Sequence, residues 1–183
     1  MKLTINNVDS SITLSPEEKT ALPTFYSSLR ERTKLRPKGY GMTPMYKSGR
    51  WDGYRFFVGA TGKFQTGLLP TIYPMIEEHA GDIPIVIEDK RTNKPIWKPE
   101  FVSCLMRNDG TIFNLKPEQI KAVKAIIDKS LQLGSVVLDF NRGIINAATN
   151  AGKTFIMAGV IANLESPKVL ILIDRVDIFK DMV

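Results

Sequence analysis

The octapeptide AATNAGKT, residues 147 to 154, constrains this chain more than any other stretch. The apolar run RGIIN leads into it and the amphipathic run KTFIMAGVIANL leads out. A strand, a tight loop and a helix start in that order aim backbone N–H groups and the positive end of a helix dipole at one point. That is the arrangement that holds a phosphate. Gly152 lets the backbone approach closely, Lys153 is placed to reach the β- and γ-phosphates of a nucleotide, and Thr154 to hold Mg²⁺ through its hydroxyl. The opening glycine usual in such loops is replaced by Ala147, and Asn150 stands where glycine is common. Alanine is small enough for a tight entry, and asparagine is the side chain that best tolerates left-handed backbone. Neither change removes a charge or a donor that phosphates require. The nucleotide contacts expected are Ala148, Thr149, Asn150, Ala151, Gly152, Lys153 and Thr154, with Lys153 and Thr154 the catalytic pair and Thr154 the metal contact.

The surrounding pattern predicts the start of a parallel α/β unit. Pro117 to Leu133 reads as an amphipathic helix with Ile120, Val123, Ile126, Ile127 and Leu131 on one side. Gly143 to Ala147 reads as a short strand, Lys153 to Leu164 as a helix, Val169 to Ile173 as a buried strand, and a further helix begins at Val176. Strand, loop, helix and strand in succession is the βαβ order.

The first half has a different character. Residues 3–8 and 11–14 read as strands. Ser15-Pro16-Glu17-Glu18 is a helix start with a capping box. The helix it opens is expected to run to about Arg32, with Pro23 as a kink inside it. Tyr46 and Tyr54 to Val58 are predicted as strands joined through Asp52-Gly53, and a second hairpin is expected at Thr61-Gly62-Lys63. A helix over Leu68 to Ala80 and a strand over Ile83 to Ile87 complete a small α+β domain with antiparallel strands, residues 1–90. Residues 91–113, polar and proline-bearing, read as a linker, and 114–183 as the second domain.

Charge is concentrated in the first half. Between Arg30 and Lys63 there are nine lysines and arginines against Glu31 and Asp52, so this window carries +7 in a chain of net +6. Tyr40, Tyr46, Trp51, Tyr54, Phe56 and Phe57 interleave with the charges, a composition suited to nucleic acid. Lys47, Arg50 and Arg55 are candidate phosphate contacts, and Trp51 a candidate DNA contact whose competing role is in a hairpin core. One cysteine and one histidine exclude a disulfide framework and argue against a zinc site. With no secretory signal and no long apolar run, a cytoplasmic setting is expected.

The form of AATNAGKT resembles motif I of superfamily 2 helicases. Gln119, 34 residues before Lys153 within LKPEQIKAV, resembles the glutamine segment that recognises adenine in many of them, for which a carboxamide has the needed donor and acceptor. LILIDRVDIFKDM resembles motif Ia, which makes Arg175 a candidate DNA contact. Upstream, Gly49, Trp51, Asp52 and Gly53, then Gly67, Leu68 and Leu69, resemble a phage UvsW-type helicase. This second resemblance implies a RecA-like motor driven by ATP with Mg²⁺. Its substrate would be branched or forked DNA, in branch migration, fork regression and R-loop removal, with RNA–DNA hybrids among the candidates. Arg175 and the basic first domain would grip that DNA.

Neither an Asp-Glu-x-His nor an Asp-Glu-x-Asp string follows Lys153. A truncated motor is therefore expected, able to bind nucleotide but not to turn it over within these residues. Two other readings fit the sequence: the motor of a restriction-type translocase, and a non-catalytic DNA-binding module with a vestigial phosphate loop.

Overall fold

The computed structural model describes residues 1–92, 94–107, 109–148, 151–165 and 168–172. The chain forms two compact units, Met1–Asn93 and Lys94–Val183.

In the first unit, β1 (Lys2–Ile5) and β2 (Asp9–Thr13) pair antiparallel. Alternation sends Leu3, Ile5, Ser10 and Ile12 inward, all at most 1 % exposed, and Thr4, Ser11 and Thr13 away from that core. Helix α1 (Pro16–Ala21) opens on the expected capping box. Ser15 Oγ accepts the Glu18 N–H at 3.2 Å, and Glu18 Oε2 accepts the Ser15 N–H at 2.8 Å. The helix does not run through to Arg32 with a kink. It stops, and α2 (Phe25–Arg32) begins afresh beyond Pro23, which has no N–H to continue the ladder.

Two further expectations are corrected between residues 34 and 89. Tyr46 lies in a one-turn helix, α3 (Pro44–Lys47), which starts on the Thr43 hydroxyl as N-cap and Pro44 in the first turn. The predicted hairpin across Asp52-Gly53 is therefore absent. Gly53 takes a positive φ of 85°, but β4 (Arg55–Phe56) pairs instead with β3 (Lys34–Leu35), twenty residues upstream. The turn at Thr61-Gly62-Lys63 does form, with an antiparallel bridge between Val58 and Phe64. Strand β5 (Lys63–Gln65) joins β2, and α4 (Leu69–Ala80) buries Leu69, Ile72, Tyr73 and Ile76. The last strand, β6 (Val86–Asp89), runs parallel to β1, so the sheet β5-β2-β1-β6 is mixed rather than antiparallel. The chain returns to β1 through helices, and such a crossover permits parallel entry.

In the second unit, the stretch read as a linker contains β7 (Cys104–Met106), paired antiparallel with β8 (Ile112–Asn114). Helix α5 is Pro117–Ile127, shorter than expected. Asn141 ends it: its Nδ2 donates to the carbonyls of Ile126 and Ile127 at 2.6 and 3.0 Å. Beyond it, β9 (Ser130–Leu133) and β10 (Val136–Asp139) form a hairpin with Leu133 and Leu138 buried. Leu131 suits the alternation of a strand as well as helical spacing, and the Gly134 turn decides for the strand. Helix α6 is Lys153–Ala162, and Leu105, Leu115, Val123 and Ile156 form the buried cluster of the unit.

No parallel sheet forms in this unit among the described residues. Residues 143–147 and 168–172 are not strands; Ile144 is 98 % exposed and Leu172 85 %. A parallel strand needs a ladder partner along its edge, and neither segment is paired to a strand among the described residues. The helix expected from Val176 lies outside the described residues. No helix among the described residues is long and apolar enough to cross a membrane.

Candidate nucleotide site and basic ribbon

Gly152 is the N-cap of α6 and sits in left-handed backbone, φ 75° and ψ 47°, with no side chain capping the helix. The first-turn N–H groups are thus left to an external acceptor, and the dipole favours an anion there. Lys153 is exposed at the first helical position, with no ion pair among the described residues, and Thr154 is half-buried beside it. Ala151 donates its N–H to the Ala148 carbonyl at 3.2 Å, which tightens the loop. Thr149 and Asn150 lie outside the described residues.

Gln119 is brought onto this loop. It is 6 % exposed in the first turn of α5. Its Oε1 accepts the Lys116 N–H at 2.9 Å, and its Nε2 donates to the Ala151 carbonyl at 3.3 Å. A Cβ on residue 152 would lie 2.3 Å from that Nε2, so glycine is required for the contact as well as for the backbone angle. The carboxamide keeps one N–H and one lone pair unused by these two bonds. Helices α5 and α6 hold the geometry, with Phe113 and Phe155 meeting edge to face at 4.6 Å.

Asn163, just past α6, gave no signal in the sequence. It is 2 % exposed, donates from Nδ2 to the carbonyls of Val102 and Gly159 at 3.0 and 2.7 Å, and accepts the Val102 N–H on Oδ1 at 2.8 Å. It fastens the chain before β7 to the end of the helix that starts at Gly152. No group of three or more His, Cys, Asp or Glu that could hold a metal occurs among the described residues.

The candidate DNA contacts of the first unit are dispersed. Lys47 ends α3, while Arg50 and Arg55 are exposed on the loop and on β4. Trp51 is half-buried and donates its indole N–H to the Tyr54 carbonyl at 2.6 Å, which commits it to its own loop. Arg175 lies outside the described residues.

Other cations converge where the sequence did not single them out. Lys34 stands opposite Phe56 in the β3–β4 register. Arg30 lies over the Phe56 ring at 4.3 Å, Lys34 over Tyr54 at 4.7 Å, and Arg36 over both Tyr54 at 4.3 Å and Tyr40 at 4.6 Å. Lys34 also pairs with Glu31, a contact that raises its pKa.

The family model for the type III restriction enzyme, res subunit, matches residues 112–183. Over these residues the chain is similar to a superfamily 2 helicase-type segment. The matched residues begin at β8 and include Gln119, residues 147–154 and α6. No curated protein and no solved structure matches the chain significantly.

Proposed function

We propose that the protein is part of an ATP-dependent DNA helicase or translocase, of the kind that remodels branched DNA. The observation that carries this reading is the seating of Gln119 against an uncapped, glycine-started helix whose next residues are Lys153 and Thr154. The residues suit Mg²⁺–ATP: α6 offers its first-turn N–H groups and Lys153 for the phosphates, Thr154 its hydroxyl for the metal, and Gln119 a free N–H and lone pair for the adenine edge. Bound there, the nucleotide would supply the phosphoryl transfer that drives movement along DNA. The order of apolar segment, loop, α6 and apolar segment supports a RecA-like unit. The basic first unit supports a DNA grip, with Lys47, Arg50 and Arg55 as contacts.

The family match favours a second reading, the motor of a restriction-type translocase. For an active protein, unwinding of a four-way junction supports the first reading, and displacement of a third strand from linear duplex supports the second.

The central test is the affinity for a fluorescent ATP analogue with Mg²⁺. The unmodified chain should bind it and Lys153→Ala should bind at least about tenfold more weakly, the loss of one charged phosphate contact. Equal binding by the two would make the loop vestigial.

A further inference from the structure

The ribbon of β3 and β4 presents two chemically different faces. The register opposes Lys34 to Phe56 and Leu35 to Arg55. Side chains alternate along each strand, so Lys34 and Arg36 share a face with Tyr54 and Phe56, while Leu35, Arg55 and Phe57 take the other. The last turn of α2 adds Arg30 to the first face, above Phe56. Arg36 is held between Tyr54 and Tyr40, and its Nη1 also donates to the Tyr40 hydroxyl at 3.4 Å. Neither Arg30 nor Arg36 has a carboxylate in ion-pair range among the described residues; the Arg30 Nε is buried, so any phosphate would meet its terminal N–H groups.

A guanidinium lying flat on a ring keeps its N–H edge directed sideways, where it can fork onto a phosphate. The same stacking uses up ring surface. Tyr54 carries two cations, and Phe56 carries one. A nucleobase seeking those rings would have to displace a cation held there by about 0.5–2 kcal/mol.

We propose that Arg30, Lys34 and Arg36 form a track for the sugar–phosphate backbone of nucleic acid, and that Tyr40, Tyr54 and Phe56 are props for these cations rather than platforms for bases. The proposal rests on the nucleic-acid reading above and moves the principal grip away from Lys47, Arg50 and Arg55. Lys34 is released from Glu31 on binding, at small cost, because exposed pairs of this kind contribute little. The track recognises charge and spacing, so its affinity is indifferent to base sequence.

The test is fluorescence anisotropy with the full chain, a duplex oligonucleotide, a single strand, and the same strand with abasic spacers, across a range of KCl. Arg30→Gln/Lys34→Gln/Arg36→Gln should flatten the log–log salt slope on duplex by about 2.7, at about 0.9 per lost phosphate contact. Arg36→Gln alone, at an exposed site that folding tolerates, should flatten it by about 0.9. Lys47→Gln/Arg50→Gln/Arg55→Gln should change it less than the track variant does. The abasic strand should bind within about threefold of the normal one, since a lost base stack costs about 1–3 kcal/mol. An unchanged slope for Arg36→Gln overturns the track while leaving the nucleic-acid reading intact. A large loss on the abasic strand overturns the role of the rings as props. Absence of binding by the unmodified chain overturns both the track and the DNA grip.

Discussion

The carboxamide of Gln119 donates to the Ala151 carbonyl at 3.3 Å, so a residue in the first turn of one helix is fastened to the loop that starts another. The same side chain accepts the Lys116 N–H and is almost fully buried. Gln119→Ala removes both hydrogen bonds, and the expected loss is about 1–3 kcal/mol, at about 0.5–1.5 kcal/mol per bond. The two tryptophans, Trp51 and Trp97, fall one in each unit. A Trp51→Phe background therefore leaves Trp97 to report urea unfolding of the second unit, and no change in midpoint there would count against the contact.

Gly152 and Gln119 should behave as a coupled pair. Gly152→Ala places a Cβ in left-handed backbone, at about 1–2 kcal/mol, and against the Gln119 amide. In the double variant with Gln119→Ala the clash with the amide is gone; the backbone cost, a close approach to Phe155 Cδ2 at 3.1 Å and the loss of the Gln119 hydrogen bonds remain. The double loss should fall short of the sum by about 0.5–3 kcal/mol. Strict additivity in a double-mutant cycle would mean that the two residues do not touch.

Asn163→Ala leaves the N–H and C=O of half-buried Val102 without their side-chain partner. The expected destabilisation is about 2–3 kcal/mol. Hydrogen exchange should locate it, with faster exchange at Val102 and at the end of α6. A loss confined to other parts of the unit would reject this role.

Tyr73 supplies a pH test of the first unit. Burial, with the Glu77 carboxylate close by, pushes its hydroxyl up to about 12, against about 10 in an unfolded chain. A raised value means that folding favours the protonated form. That contribution is complete below about pH 10 and is lost as the pH rises towards 12. Tyr73→Phe should lose less stability than the unmodified chain across this window. Parallel alkaline unfolding curves for the two proteins would contradict it.

What the sequence revealed depended on how local the cause was. The capping box of Ser15 and Glu18 spans four residues and is legible by eye, and the start of α6 at Lys153 is equally so. Pro23 marked an interruption, though its strength as a break rather than a bend depended on a new helix forming after it. Other corrections involve distant partners. Asn141 stops α5 from fourteen residues beyond its end, and β4 chooses β3 over a nearer segment. Arg30, Lys34 and Arg36 were visible as charge, but their shared face exists only once that pairing is known. In the second unit the apolar runs around the loop are read easily as strands, yet a strand is a property of two segments, and no ladder partner for either occurs among the described residues.

The parallel pairing of β1 with β6 has a consequence for biosynthesis. Lys2 is registered with Val86 and Ile5 with Asp89. As the chain leaves the ribosome, its earliest residues can close against β2 almost at once, but their other edge stays bare until more than eighty further residues have emerged. The sheet of the first unit is therefore finished by nearly the last piece of that unit to be made. An arrest of translation before residue 86 should yield a nascent chain with an open, protease-sensitive β1 edge.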